Sequence, residues 1–84
     1  MKIINNIEFA IYSKYINGKE GVCFSAFHTL EEAIKEAIEY TKMDIENQNQ
    51  DFYYTIRICD NVEKTETEII QFLVKGENVE INKI

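Results

Sequence analysis

Hydrophobic and polar positions recur along the chain with two different periods. Between residues 29 and 42, Leu30, Ala33, Ile34, Ala37, Ile38 and Thr41 return every three or four positions, and Glu31, Glu32, Lys35, Glu36, Glu39 and Lys42 fill the opposite side. A stripe of that period predicts an amphipathic helix laid against a core. Thr29 is suited to the N-cap, and Glu32 stands three residues later, where a capping box takes its carboxylate. Glu31 and Lys35 add an ion pair in the favoured i,i+4 order. Asp44 falls near the apolar stripe, which predicts fraying from about Met43.

Elsewhere the period is two. From Ile7 to Ile16, the residues Ile7, Phe9, Ile11 and Tyr15 point one way, interrupted by Ser13, with Glu8, Ala10, Tyr12 and Lys14 opposite. Asn17-Gly18 then signals a hairpin. In the strand that follows, Val22, Phe24 and Ala26 share one face, with Cys23, Ser25 and Phe27 on the other. After a polar connector over 47–51, Phe52, Tyr54, Ile56 and Ile58 alternate with Tyr53, Thr55, Arg57 and Cys59 as a third strand. Ile69–Val74 is open to two readings. Thr65 and Glu68 imitate a capping box and Gly76 a helix stop, whereas Ile69, Ile70, Phe72 and Val74 are strand formers, which favours a strand. Gly76-Glu77-Asn78 reads as a turn into Val79-Glu80-Ile81.

The pattern predicts an α+β fold, an antiparallel sheet of about five strands with one amphipathic helix on one face, in the order β-β-α-β-β-β. With 84 residues, the expectation is one small domain over 1–84, able to build one core layer. The face away from the helix is expected to carry Tyr12, Phe27, Tyr53 and Arg57.

Charge narrows the functional classes. The net charge is −6, and the nine basic residues are scattered, with Arg57 the one arginine. Direct nucleic-acid binding draws on clustered Lys and Arg, so neither a nucleic-acid nor an anionic-membrane partner is expected. No apolar run approaches the roughly 20 residues of a membrane span and no leader precedes the first strand, so a cytoplasmic location is expected. Cys23 and Cys59 then read as reduced, half-buried thiols, with a disulfide between strands as the alternative.

The residues offer little reaction chemistry. His28 is the sole histidine and directly precedes the N-cap, a place where it helps set the chain's approach to the helix. No Cys-x-x-Cys, nucleophile elbow or phosphate-binding glycine loop occurs. Asp60, Glu63, Glu66 and Glu68 lack the EF-hand pattern and read as a solvated turn. No catalytic residue, metal ligand or cofactor is expected, and the chain is read as a non-enzyme.

The remaining candidates are contact residues. Glu32, Glu36 and Glu39 form a ridge on the outer side of the helix, and Tyr12 and Tyr53 mark an aromatic sheet face. In size and charge the chain resembles the small acidic anti-defence proteins of phages and mobile elements, such as anti-CRISPR proteins. That resemblance implies a protein-binding inhibitor docking on a basic, nucleic-acid-binding surface of a partner. The alternative expectation is a homodimer or small accessory domain associating through a sheet edge or the aromatic face.

Overall fold

The computed structural model describes residues 7–49 and 51–84; Ile3, Ile4 and position 50 of the polar connector lie outside them. Six elements follow in the order strand, strand, helix and three strands: β1 (Ile7–Tyr15), β2 (Glu20–Phe27), α1 (Leu30–Glu46), β3 (Phe52–Asp60), β4 (Thr65–Lys75) and β5 (Asn78–Lys83). The strands form one antiparallel sheet in the spatial order β2-β1-β3-β4-β5, with α1 lying on one face. The fold is therefore the α+β arrangement that the two periods predict.

The core forms where the helix meets the middle of the sheet. Ile11 of β1, Tyr54 and Ile56 of β3, and Ile70 and Phe72 of β4 cluster with Ala33 and Ala37 of α1. Ile11, Ile56, Phe72 and both alanines are fully buried. Each large side chain removed from water in this way contributes roughly 1.5–3 kcal/mol. On the helix, small residues at one-turn intervals (Ala33, Ala37, Thr41) let the backbone lie close to the sheet. Thr41 hides its hydroxyl by donating to the Ala37 carbonyl, 2.8 Å away.

The N-terminal signal of α1 is realised. Thr29 Oγ1 accepts from the Glu32 amide at 3.3 Å and donates to Glu32 Oε1 at 2.8 Å. The other end differs from expectation, because α1 does not fray at Met43 but runs to Glu46. Two features account for this. The Tyr54 hydroxyl lies near Asp44 and offsets part of the cost of placing that carboxylate beside the stripe. Gln48 then adopts a left-handed backbone (φ 58°), and the amides of Gln48 and Asn49 bond the carbonyls of Ile45 and Asp44 at 3.2 and 2.9 Å. Those two bonds are a Schellman stop made without glycine.

Two strands depart from strict alternation. In β2, Ile11 pairs with Ser25 but Tyr12 pairs with Cys23, so Phe24 is an extra residue. The bulge places Phe24, Ser25 and Phe27 together on the helix side. The Phe24 ring lies 5.8 Å from Tyr40 and 5.5 Å from Tyr54, and Phe27 packs on the core. The expected place of Phe27 on the opposite face is thereby corrected. In β4, Ile56 pairs with Ile70 and Arg57 with Glu68, leaving Ile69 as the extra residue, and Ile69 also packs on the core. The ambiguous run is thus a strand that begins at Thr65 and carries a bulge.

Gly18, with φ of 92°, closes the β1–β2 hairpin, whose Gly18 amide donates to the Tyr15 carbonyl at 2.9 Å. Gly21 is needed for closeness instead. A Cβ there would collide with Ser13 Oγ and stand 2.7 Å from the Ser13 carbonyl oxygen.

Two outcomes follow from this packing. Gly21→Ala should lower unfolding free energy by about 1–3 kcal/mol, as overpacking does, and denaturant titration measures it. Unchanged stability would mean that the β1–β2 register shifts freely. For Asp44, burial lifts the carboxyl above its ordinary value, and the Tyr54 hydrogen bond offsets part of that. A raised folded value favours the folded state most below the unfolded value of about 4, and the contribution is lost as pH rises through the folded value. Asp44→Asn keeps an acceptor for Tyr54 and removes the charge. It should raise Tm at neutral pH, with the gap closing below about pH 4. A variant less stable at neutral pH would show that the carboxylate charge itself is required.

Candidate functional site

The two groups of contact residues read from the sequence lie on opposite layers of the molecule. Glu32, Glu36 and Glu39 sit on α1, and Tyr12 and Tyr53 on the sheet face away from it. They do not form one surface.

The sheet face is a web of charge. Neighbouring strands bring Tyr12 of β1 opposite Thr55 of β3, and Arg57 of β3 opposite Glu68 of β4. The Arg57 guanidinium stands 4.2 Å above the centre of the Tyr12 ring. One of its nitrogens pairs with Glu20 of β2 and another approaches Glu66 of β4 at 3.6 Å. Tyr12 closes the loop by donating its hydroxyl to Glu66 Oε1 at 3.0 Å. Beside this loop, Lys14 approaches Glu68 at 3.9 Å, and Gln71 donates to the other Glu68 oxygen at 3.3 Å. Arg57 thus links β2, β3 and β4 across β1. Beneath the web Thr55 is fully buried, and its hydroxyl has no partner among the described residues.

The electrostatics follow from those contacts. Hydrogen bonding and charge from Arg57 hold the Glu20 carboxyl below its usual value. Burial, then the hydrogen bond and charge of Glu66, push the Tyr12 hydroxyl up to about 12, so it remains a donor. Burial and the nearby Glu66 carboxylate also raise the Cys59 thiol, which keeps it protonated and weakly nucleophilic at neutral pH. Both cysteines are free; Cys59 is half-buried, while Cys23 is exposed rather than half-buried as expected. His28 is exposed. Among the described residues no group of three or more His, Cys, Asp or Glu is placed to hold a metal ion, and no helix is long and apolar enough to cross a membrane.

The web changes the reading of the aromatic face. Tyr12 is half-buried and its hydroxyl is committed to Glu66, so it holds the sheet face together. Tyr53 is half-buried and lines a shallow recess with Ile16, Phe52, Leu73 and Val74. No local spacing marks Arg57, Glu20 and Glu66 as partners, because their contacts run from β2 across β1 and β3 to β4.

On α1, Glu32 and Glu39 are exposed and Glu36 is half-buried. At about 100° per residue, Glu32, Glu36, Glu39, Met43 and Glu46 share one outward arc of about 80°, bordered by Lys35 and Lys42, which stand one turn before Glu39 and Glu46. Glu36, at one margin of this arc, lies toward β2. Glu36 precedes Tyr40 by one turn, and the Tyr40 and Ser25 hydroxyls are 3.3 Å apart. Among the described residues, the ion pairs of the chain involve Arg57, Lys14 and Lys75 with Glu20, Glu66, Glu68 and Glu80, and none reaches Glu32, Glu36 or Glu39.

No family model matches the chain, no curated protein matches its sequence, and no solved structure matches its fold.

Arg57→Lys tests the web. An ammonium keeps the charge but cannot stack flat on Tyr12 while reaching two carboxylates, so unfolding free energy should fall by about 1 kcal/mol. Denaturant titration of the two chains checks it; equal midpoints would mean that the stacked, bridging geometry adds nothing beyond charge.

Proposed function

We propose that the chain is a small non-catalytic binding module that docks its acidic helix flank on a basic surface of a protein partner. Where that surface normally holds nucleic-acid phosphates, occupying it makes the module an inhibitor. One observation carries this reading: the negative charge is divided unevenly between the two faces. On the sheet face, Arg57 and Lys14 neutralise the carboxylates beside them. On α1, Glu32, Glu36 and Glu39 are left without ion pairs among the described residues, on one continuous flank.

Unneutralised acids in a row attract a basic partner over a distance of about a Debye length and speed encounter at low salt. They also present carboxylates at intervals that Lys and Arg side chains, otherwise engaged with phosphates, can meet with charge-assisted hydrogen bonds. An anti-defence role of this kind needs no cofactor and no catalytic group on the module.

The test is affinity capture from a host lysate by the parent chain and by the triple variant Glu32→Lys, Glu36→Lys, Glu39→Lys. The parent should retain a partner at low salt and release it at about 1 M salt, where the Debye length falls to roughly 3 Å. The variant should keep its far-UV spectrum, lose a little Tm through the Glu32 cap, and capture nothing. Equal capture by both chains, or capture indifferent to salt, would move the interface away from the helix flank.

A further inference from the structure

The two edges of the sheet are built differently. β5 has six residues and carries Glu80 and Lys83, with Glu80 approached by Lys75 at 3.8 Å. Short, charged edges of that kind resist pairing with another strand. β2 has eight residues, is bonded to β1 alone, and carries neither charge nor proline from Gly21 to Phe27. Val22, Cys23, Phe24 and Ala26 are all exposed, Val22 at 62% and Phe24 at 47%. The helix cannot cover this edge. Five strands span about 19 Å, whereas a helix with its side chains is about 10–12 Å across.

What borders the edge indicates its occupant. The margin of the acidic arc that carries Glu36 lies toward β2, because Tyr40, one turn further on, meets Ser25 through their hydroxyls and packs against Phe24. Phe24 and Met43, 57% exposed, offer apolar surface beside Glu36 and Glu39. Lys and Arg suit this combination, since their apolar stems can lie on the ring and thioether while their heads reach the carboxylates. A second copy of the chain fits poorly. Pairing β2 with β2 would bring two acidic flanks together, each on a chain of net charge −6.

We infer that β2 accepts an added strand: an extended, basic segment of a partner protein pairs with the β2 backbone, and its Lys and Arg side chains meet Glu32, Glu36 and Glu39. Main-chain hydrogen bonds supply the attachment, and alternate side chains supply the selection. The inference rests on the acidic-docking reading and adds how the partner is held. Val22 is held by Ser13 Oγ and β2 shifts register on either side of Cys23, so pairing uses the amides that alternate outward from Cys23 to Phe27.

The test uses the full chain labelled with ¹⁵N and two capped peptides of equal length and charge, one alternating valine with arginine, the other proline with arginine. The valine peptide can form a strand; the proline peptide cannot supply the ladder. The valine peptide should bind at least about tenfold more tightly, since several backbone hydrogen bonds are at stake. It should also slow amide exchange between Cys23 and Phe27 while leaving β5 unchanged. Equal binding of the two peptides without protection of β2 would overturn strand addition and leave charge-driven docking standing. Unchanged binding of the valine peptide to the Glu32→Lys, Glu36→Lys, Glu39→Lys chain would remove the basic chemistry of the occupant, and with it both readings. Binding of neither peptide, protection at β5 instead, or a dimer of the chain alone with protected β2 amides would each overturn the proposal.

Discussion

The close approach of one helix to the middle of the sheet is the constraint on which the other features depend. α1 presents Ala33, Ala37 and Thr41 to the sheet, and the sheet supplies the bulk through Ile11, Ile56 and Phe72. Small residues on the helix and large ones on the strands interdigitate at interior density, and the layer spacing follows from that choice. A helix seated low over β1, β3 and β4 leaves the flanking strands to manage their own surfaces. β5 does so with charge, whereas β2 does so only in part, by bending at Phe24 and tucking that ring toward Tyr40 and Tyr54.

The sheet therefore has two unlike faces. Beneath the helix the contacts are apolar and aromatic, and the burial of Asp44 there is partly offset by the nearby Tyr54 hydroxyl. On the far face Arg57, stacked on Tyr12, gathers Glu20 and Glu66, and Lys14 meets Glu68. Exposed ion pairs singly contribute little, but a guanidinium shared between two carboxylates and a ring needs to be ordered only once. This use of the cations has a consequence for the whole chain. Among the described residues no ion pair reaches Glu32, Glu36 or Glu39 on α1.

Several differences from the sequence-based expectation have one origin. A strict two-residue period puts Phe27 on the far face and leaves Ile69-Ile70 without an assignment. Inserted residues at Phe24 and Ile69 reset the period, and both extra side chains reach the helix side, while β2 shifts register once more between its pairings with Tyr12 and Lys14. Bulges carry no composition signal of their own here; they become visible only when the partner strand fixes the register. The same holds for the end of α1. Asp44 looks like a break until Tyr54, ten residues further along the chain, supplies its partner, and Gln48 takes the left-handed turn more often given to glycine.

Local chemistry alone determined much of this protein. The capped amphipathic helix, the Asn-Gly hairpin, the strands and their order, and the acidic ridge all rest on interactions within a few residues, and those are written in the chain as periods and turn residues. Only the tertiary structure decided which sheet face is apolar, that Tyr12 serves Arg57 and Glu66 rather than a free aromatic patch, and that β2 lies at the edge of the sheet. Those outcomes depend on residues brought together across strands, at separations such as the 54 positions between Tyr12 and Glu66. No local period encodes a neighbour of that kind, because it is the register of the sheet that creates it.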